Sequence, residues 1–209
     1  MHPITKRLTV FALPIALALG GCALNPAHPW TDYGLTLAKT SSPAQTATLP
    51  FILRVDAINA PDWLESRNFY YRLDYADSQK IFAYSEARWL TAPPTMLHTL
   101  LTERLVRSGL FKAVIAPGNT AEANYDLRLS LQAFEQDFKT LKSSTAIVRL
   151  RASLIDEANG SVTAQKQFAI RVPAGQDAQS GAAALNYAAN ELTNELEDWI
   201  ADTLDHAKR

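Results

Sequence analysis

The sequence predicts an α+β fold, a single antiparallel sheet packed against two helices, behind a signal peptide and a short tether. Three observations carry that expectation. Several segments alternate apolar and polar residues with the period of a half-buried strand. Two others, one opened by Pro93 and one running to Leu204, repeat apolar residues every three or four positions, as a helix with one buried face does. The start of the chain has a basic end, an apolar run and a small-residue pair before Cys22.

Lys6 and Arg7 precede an apolar run from Leu8 to Leu19, interrupted at Pro14 and followed by Gly20, Gly21 and Cys22. A transmembrane helix needs about 20 apolar residues, so this shorter run reads as an export signal over residues 1–21. Cys22 is the only cysteine; with no intramolecular disulfide available, an exported domain depends on its core alone. Removing the signal leaves roughly 190 residues, enough for one domain that buries roughly 70% of its unfolded surface. It also moves the net charge from −1 to about −3, which leaves no footprint for nucleic acid. Residues 22–29, with two prolines, read as a lipidated tether, 30–205 as the domain, and 206–209 as a tail.

Trp30 to Leu37 is a candidate first strand, and Lys39 to Thr48 reads as a surface loop around Pro43. Alternation predicts strands from Phe51 to Asp56 and from Phe69 to Tyr75, with a third from Lys80 to Tyr84 after a hairpin loop at 76–79. Pro93 and Pro94 open a helix of about 14 residues whose stripe is Leu97, Leu100, Leu101 and Leu105. Gly109 is placed to stop it in the left-handed conformation, with Leu110 folding back on the last turn. Further strands run from Tyr125 to Ala133, with the odd positions inward, from Ala146 to Leu154, and from Val162 to Ile170. The last two meet at the turn Asp156 to Gly160, where Asn159-Gly160 signals a hairpin. A long helix from about Asp177 to Leu204 presents Leu185, Ala189, Leu192, Leu196, Trp199 and Ile200 to the sheet.

Catalytic chemistry finds little support. There is no Gly-x-Ser-x-Gly elbow, no glycine-rich loop for phosphate, and no His or Cys pair at metal-ligand spacing. The mature chain has only His28, His98 and His206, and His98 lies beside a helical stripe as a boundary residue. No enzyme, metal or cofactor is expected. The best candidate for a partner surface is the aromatic and basic set Arg67, Tyr70, Tyr71, Arg72, Arg88 and Trp89, residue types that anchor interfaces. Alternation sends Tyr71 to the core side and Tyr70 with Arg72 to the opposite face.

Leu19-Gly20-Gly21-Cys22 resembles the lipobox of bacterial lipoproteins, in which the cysteine thiol receives diacylglycerol. Beyond it come Tyr33 to Leu37, Leu53-Arg54-Val55 leading to Pro61, Tyr70-Tyr71-Arg72-Leu73, Tyr84 with Arg88-Trp89, and the Leu-rich helix after Pro93. In that order and spacing, the chain resembles the ABC-type transport auxiliary lipoproteins, which include the lipoprotein of the paraquat-inducible intermembrane system. The resemblance implies an outer-membrane lipoprotein facing the periplasm beside a mammalian-cell-entry (MCE) protein, a permease and an ATPase that move lipids between membranes. Ala23, where enteric sorting would use Asp for inner-membrane retention, implies outer-membrane delivery. Two other classes stay open: an outer-membrane assembly or maintenance lipoprotein with a different periplasmic partner, and a periplasmic hydrolase with an unrecognised site. A lipid carrier would need a cavity of several hundred Å³; two helices and one sheet hold just enough apolar residues to cover each other, which predicts a solid core and action by protein contact.

Overall fold

The structure, a computed structural model, describes residues 29–38 and 48–207, with side chains through Asp205. The expected signal segment, Cys22, the expected tether through residue 28, residues 39–47 of the predicted loop and the last two residues lie outside the described residues.

In chain order the elements are β1 (Thr31–Tyr33), β2 (Leu49–Val55), a 3-10 turn (Asp62–Glu65), β3 (Asn68–Leu73), β4 (Asp77–Trp89), α1 (Pro93–Ser108), β5 (Phe111–Ile115), β6 (Tyr125–Thr140), β7 (Ser143–Asp156), β8 (Ser161–Ala174) and α2 (Ala178–Ala207). The α+β class stands, with eight strands in one mostly antiparallel sheet. β6 is its spine. One side of β6 carries β7 and then β8; the other is shared by β2, which pairs its first residues, and β3, which pairs its later ones. The hairpins β3–β4, β6–β7 and β7–β8 are antiparallel. Four pairings are parallel: β1–β4, β2–β5, β2–β6 and β3–β6. Alternation reports which face a residue occupies, not which way its neighbour runs, so these crossings correct the purely antiparallel expectation.

α2 lies across β6, β7 and β8 and buries Leu185, Leu192, Leu196, Ile200 and Leu204 completely. Asp177 starts it by accepting the Ser180 amide at 2.7 Å. Trp199, expected within the stripe, is half-buried and sits edge-on to Phe168 at 5.8 Å, at the border of the apolar face. α1 begins on its two prolines and ends at Gly109, whose φ of 65° places it in the left-handed region, with Leu110 buried behind it. A buried ion pair between Arg104 of α1 and Glu197 of α2 joins the helices.

Several boundaries move. The first strand is only Thr31–Tyr33, because residues after it bond to α2 instead of to a neighbouring strand. β4 runs from Asp77 to Trp89, and the turn before it is at residues 74–76. β6 continues to Thr140 through the buried polar residues Glu135, Gln136 and Asp137. A bulge between Leu131 and Ala133 flips its faces: Leu131 opposes Leu150, but Ala133 opposes Arg149 and Phe134 takes over the core side opposite Val148. Ala133 is therefore buried on the face away from α2. α2 reaches Ala207, two residues into the predicted tail.

Candidate functional site

One firmly held surface segment is residues 29–38, which follow the expected tether. β1 adds to the sheet in parallel, with Thr31, Asp32 and Tyr33 opposite Ala87, Arg88 and Trp89. Asp32 Oδ1 accepts from Arg67 Nη2 at 2.6 Å and from Arg88 Nε at 2.8 Å. The Arg88 hydrogen bond, aided by both guanidinium charges, holds this carboxyl below the usual carboxylate range. Arg88 also lies 5.3 Å from the centre of the exposed Trp30 ring. Beyond β1, the Thr36 and Ala38 amides donate to Asn186 Oδ1 and Asn190 Oδ1 of α2, each at 2.8 Å, and Asn190 Nδ2 returns a bond to the Thr36 carbonyl at 3.0 Å. Residues 29–38 are thus fastened to the sheet edge by charge and to the last helix by two asparagines one turn apart.

The predicted partner set is not one patch. Trp89 is fully buried, with its ring 4.6 Å from Phe69 and 5.2 Å from Phe134, so it belongs to the core and not to a contact surface. Arg67 and Arg88 converge on Asp32, and Arg67 Nε also donates to the Trp89 carbonyl at 2.9 Å. Tyr70 packs its ring edge on Trp63 at 5.2 Å and shares its hydroxyl with Ser66 and Asn68. Tyr71 lies on the other side of β3, 4.7 Å from Tyr84. Arg72 donates to Glu135 Oε1 at 3.1 Å and to the Ser78 carbonyl at 2.9 Å. The polar groups of Arg67, Tyr70, Arg72 and Arg88 are already engaged within the chain, whereas the buried Trp89 Nε1 has no hydrogen-bond partner. Sequence reading missed Asp32, Asn186 and Asn190; the signal available was the pair of asparagines at helical spacing in an Ala- and Leu-rich segment.

The surface also holds two open clefts. One of about 670 Å³ is lined by Phe51, Arg54, Glu122, Tyr125 and Glu157, and Arg54 within it is occupied by Asp126 at 2.9 Å and by the Ala121 carbonyl. The other, about 470 Å³, runs between residues 34–37 and α1, over Leu35, Leu37, Leu90, Met96 and Leu100. His98 is half-buried with Nε2 3.3 Å from the Val55 carbonyl, as a boundary residue would be. Among the described residues, no grouping of His, Cys, Asp and Glu could hold a metal ion, and no helix is long and apolar enough to cross a membrane.

The model of a family described as ABC-type transport auxiliary lipoprotein component matches residues 33–197, from β1 to the last turns of α2. No curated protein matches. Among solved structures, the chain is similar to a Xanthomonas campestris protein of family DUF330, at 24% identity and TM-score 0.76, covering 85% of this chain and 99% of that one. An uncharacterised protein follows at 12% identity and TM-score 0.63, covering 82% and 99%. A hypothetical protein of Chlamydia trachomatis aligns at 8% identity and TM-score 0.52, covering 73% and 96%. At these identities the likeness speaks to the fold.

Proposed function

This chain belongs to the ABC-type transport auxiliary lipoprotein component family, and from that premise we propose that it is a non-enzymatic subunit of an MCE-type lipid transport system, anchored to the outer membrane through lipid on Cys22. It acts by protein contact with the periplasmic MCE-domain protein and reaches the permease and ATPase only through that partner. Ala23 after the lipidated cysteine favours delivery to the outer membrane.

The observation that carries this reading is the family match across residues 33–197, which spans most of the domain and begins at the root of the expected tether. The root suits an anchored subunit. A pull along the tether meets the Asp32 pairs and the β1–β4 ladder before it reaches the core, and Asn186 and Asn190 tie the next residues to α2. The domain would then hold its position relative to the membrane while a partner engages it.

The experiment is affinity purification of the tagged full-length protein from detergent-solubilised envelopes. The MCE-domain protein should co-elute, with the permease and ATPase recovered only when it is present. Stoichiometric recovery of a different envelope complex, with no MCE-domain protein, would overturn the proposal.

A further inference from the structure

α2 covers one face of β6, β7 and β8; the other is exposed at Arg128, Arg151 and Arg171, although Ala133, Ile147 and Ile155 on it are buried. On β7 the core positions Ala146, Val148, Leu150, Ala152 and Leu154 are buried, so Arg149 and Arg151 point the other way. Arg171 of β8, opposite Ile147, shares that outer face, because Phe168 opposite Leu150 faces the core. Arg128 of β6, opposite Ser153, extends the row. Neighbours two apart on a strand, or diagonal across a pair, lie about 7–8 Å from each other.

Arg151, Arg171 and Arg128 are exposed, and Arg149 is half-buried. Among the described residues, neither an ion pair nor a hydrogen bond engages the side chains of Arg149, Arg151 and Arg171, and Arg128 reaches only Asp56, at 3.7 Å. The carboxylates that β6 places on the same face are occupied: Asp126 by Arg54, Glu135 by Arg72, and Asp137 by Lys139. The positive surplus is therefore real, and it sits on a chain whose overall charge is −1. Between the arginines lie Ser130, Ser153, Gln165 and Gln167, and the exposed Val162 stands beyond them at the end of the face, opposite Ile155. The face ends on β8, whose outer edge pairs with no strand among the described residues.

We propose that this arginine row on the outer face of β6, β7 and β8 is the docking surface for a protein partner that presents a matching set of carboxylates. Guanidinium groups held on adjacent strands suit carboxylates in fork geometry, and they repel one another until a partner neutralises them. The inference rests on the proposed function in one respect: the acidic partner is the periplasmic MCE-domain protein.

The test measures binding of the purified MCE-domain protein to the full-length lipoprotein in detergent, against the variant Arg149→Gln/Arg151→Gln/Arg171→Gln. The variant should melt no lower than the wild type, since it loses only unpaired charges. Its Kd should rise about tenfold or more, and its affinity should depend less steeply on salt. Glu substitutions at the same three positions should weaken binding further. If the wild type fails to bind the MCE-domain protein, the proposed function falls and the inference with it. If the wild type binds and the Gln variant binds equally well with the same salt dependence, only the docking surface is overturned. Phosphatidylglycerol vesicles serve as a second probe: loss of vesicle binding in the variant, with MCE binding intact, would assign the face to a lipid surface and refute the protein partner.

Discussion

Replacing Gly181 with Ala should destabilise the domain, although the same change inside a helix ordinarily stabilises by roughly 0.5–1 kcal/mol. Gly181 lies in the first turns of α2, and a Cβ there would overlap Gln136 Oε1, lie 2.7 Å from its Cδ and 3.1 Å from Phe69 Cζ. Gln136 is fully buried on β6. Its Oε1 accepts from the Tyr84 hydroxyl at 2.9 Å, and its Nε2 donates to Ser144 Oγ and to the Gly175 carbonyl, both at 2.8 Å. Burial pushes the Tyr84 phenol above its ordinary pKa, which keeps it a donor. To make room, the amide must give up these bonds, each worth about 1 kcal/mol, and leave buried polar atoms unpaired at a further cost of about 1–3 kcal/mol. After the helix-propensity gain, the net loss is about 3–5 kcal/mol, or roughly 6–20 °C in Tm for a domain of this size. Circular-dichroism melting and urea titration read it directly. In a Gln136→Ala background the Gly181→Ala cost should vanish, as a double-mutant cycle would reveal. A Gly181→Ala variant that melts at or above the wild type, or a cycle that is strictly additive, would refute the argument.

Trp89→Ala should cost about 3–5 kcal/mol because the ring is fully buried among Phe69, Phe134 and Tyr33. Trp199→Ala should cost only about 1–2 kcal/mol at its half-buried site, with chemical denaturation comparing the two. Asp177→Ala should lower the melting temperature near neutral pH through loss of the α2 cap. The Ser180 amide holds the Asp177 carboxyl below its ordinary value of 3.8 in the folded state, so the stabilisation is present above that value and is lost as pH falls through the lowered one. The wild-type advantage in Tm should therefore shrink below about pH 4, and a gap that widens in acid would contradict the assignment.

Where one physical signal dominates, the sequence was legible. α1 declared itself through Pro93, the leucine stripe and Gly109, and the β7–β8 hairpin through Asn159-Gly160, where Gly160 has a φ of 67°. β5, which runs Phe111 to Ile115, carries only Lys112 as a polar residue and so lacks a clear alternation. The end of β6 is hidden in the sequence because its buried Glu135, Gln136 and Asp137 are polar, and the partners of the first two, Arg72 and Ser144, lie on other strands. The bulge at Gln132 reversed the faces of β6, a shift that no local pattern announces. At the candidate site, residue type alone grouped Trp89 with Arg67 and Arg88. The fold places the indole inside and gathers the two arginines on Asp32, a residue 35 positions from Arg67 in the chain. The open arginine row was hidden because Arg149, Arg151 and Arg171 look like the ordinary polar half of two amphipathic strands; only the pairing shows that no carboxylate answers them.

The central claim, a lipid-anchored subunit held at the outer membrane, is tested most directly by labelled-palmitate incorporation combined with density-gradient fractionation of envelopes. The wild-type protein should carry label and sediment with outer-membrane markers, while Cys22→Ser should carry none and accumulate unprocessed or away from that fraction. Label retained by Cys22→Ser, or labelled wild-type protein recovered with the inner membrane, would contradict the account.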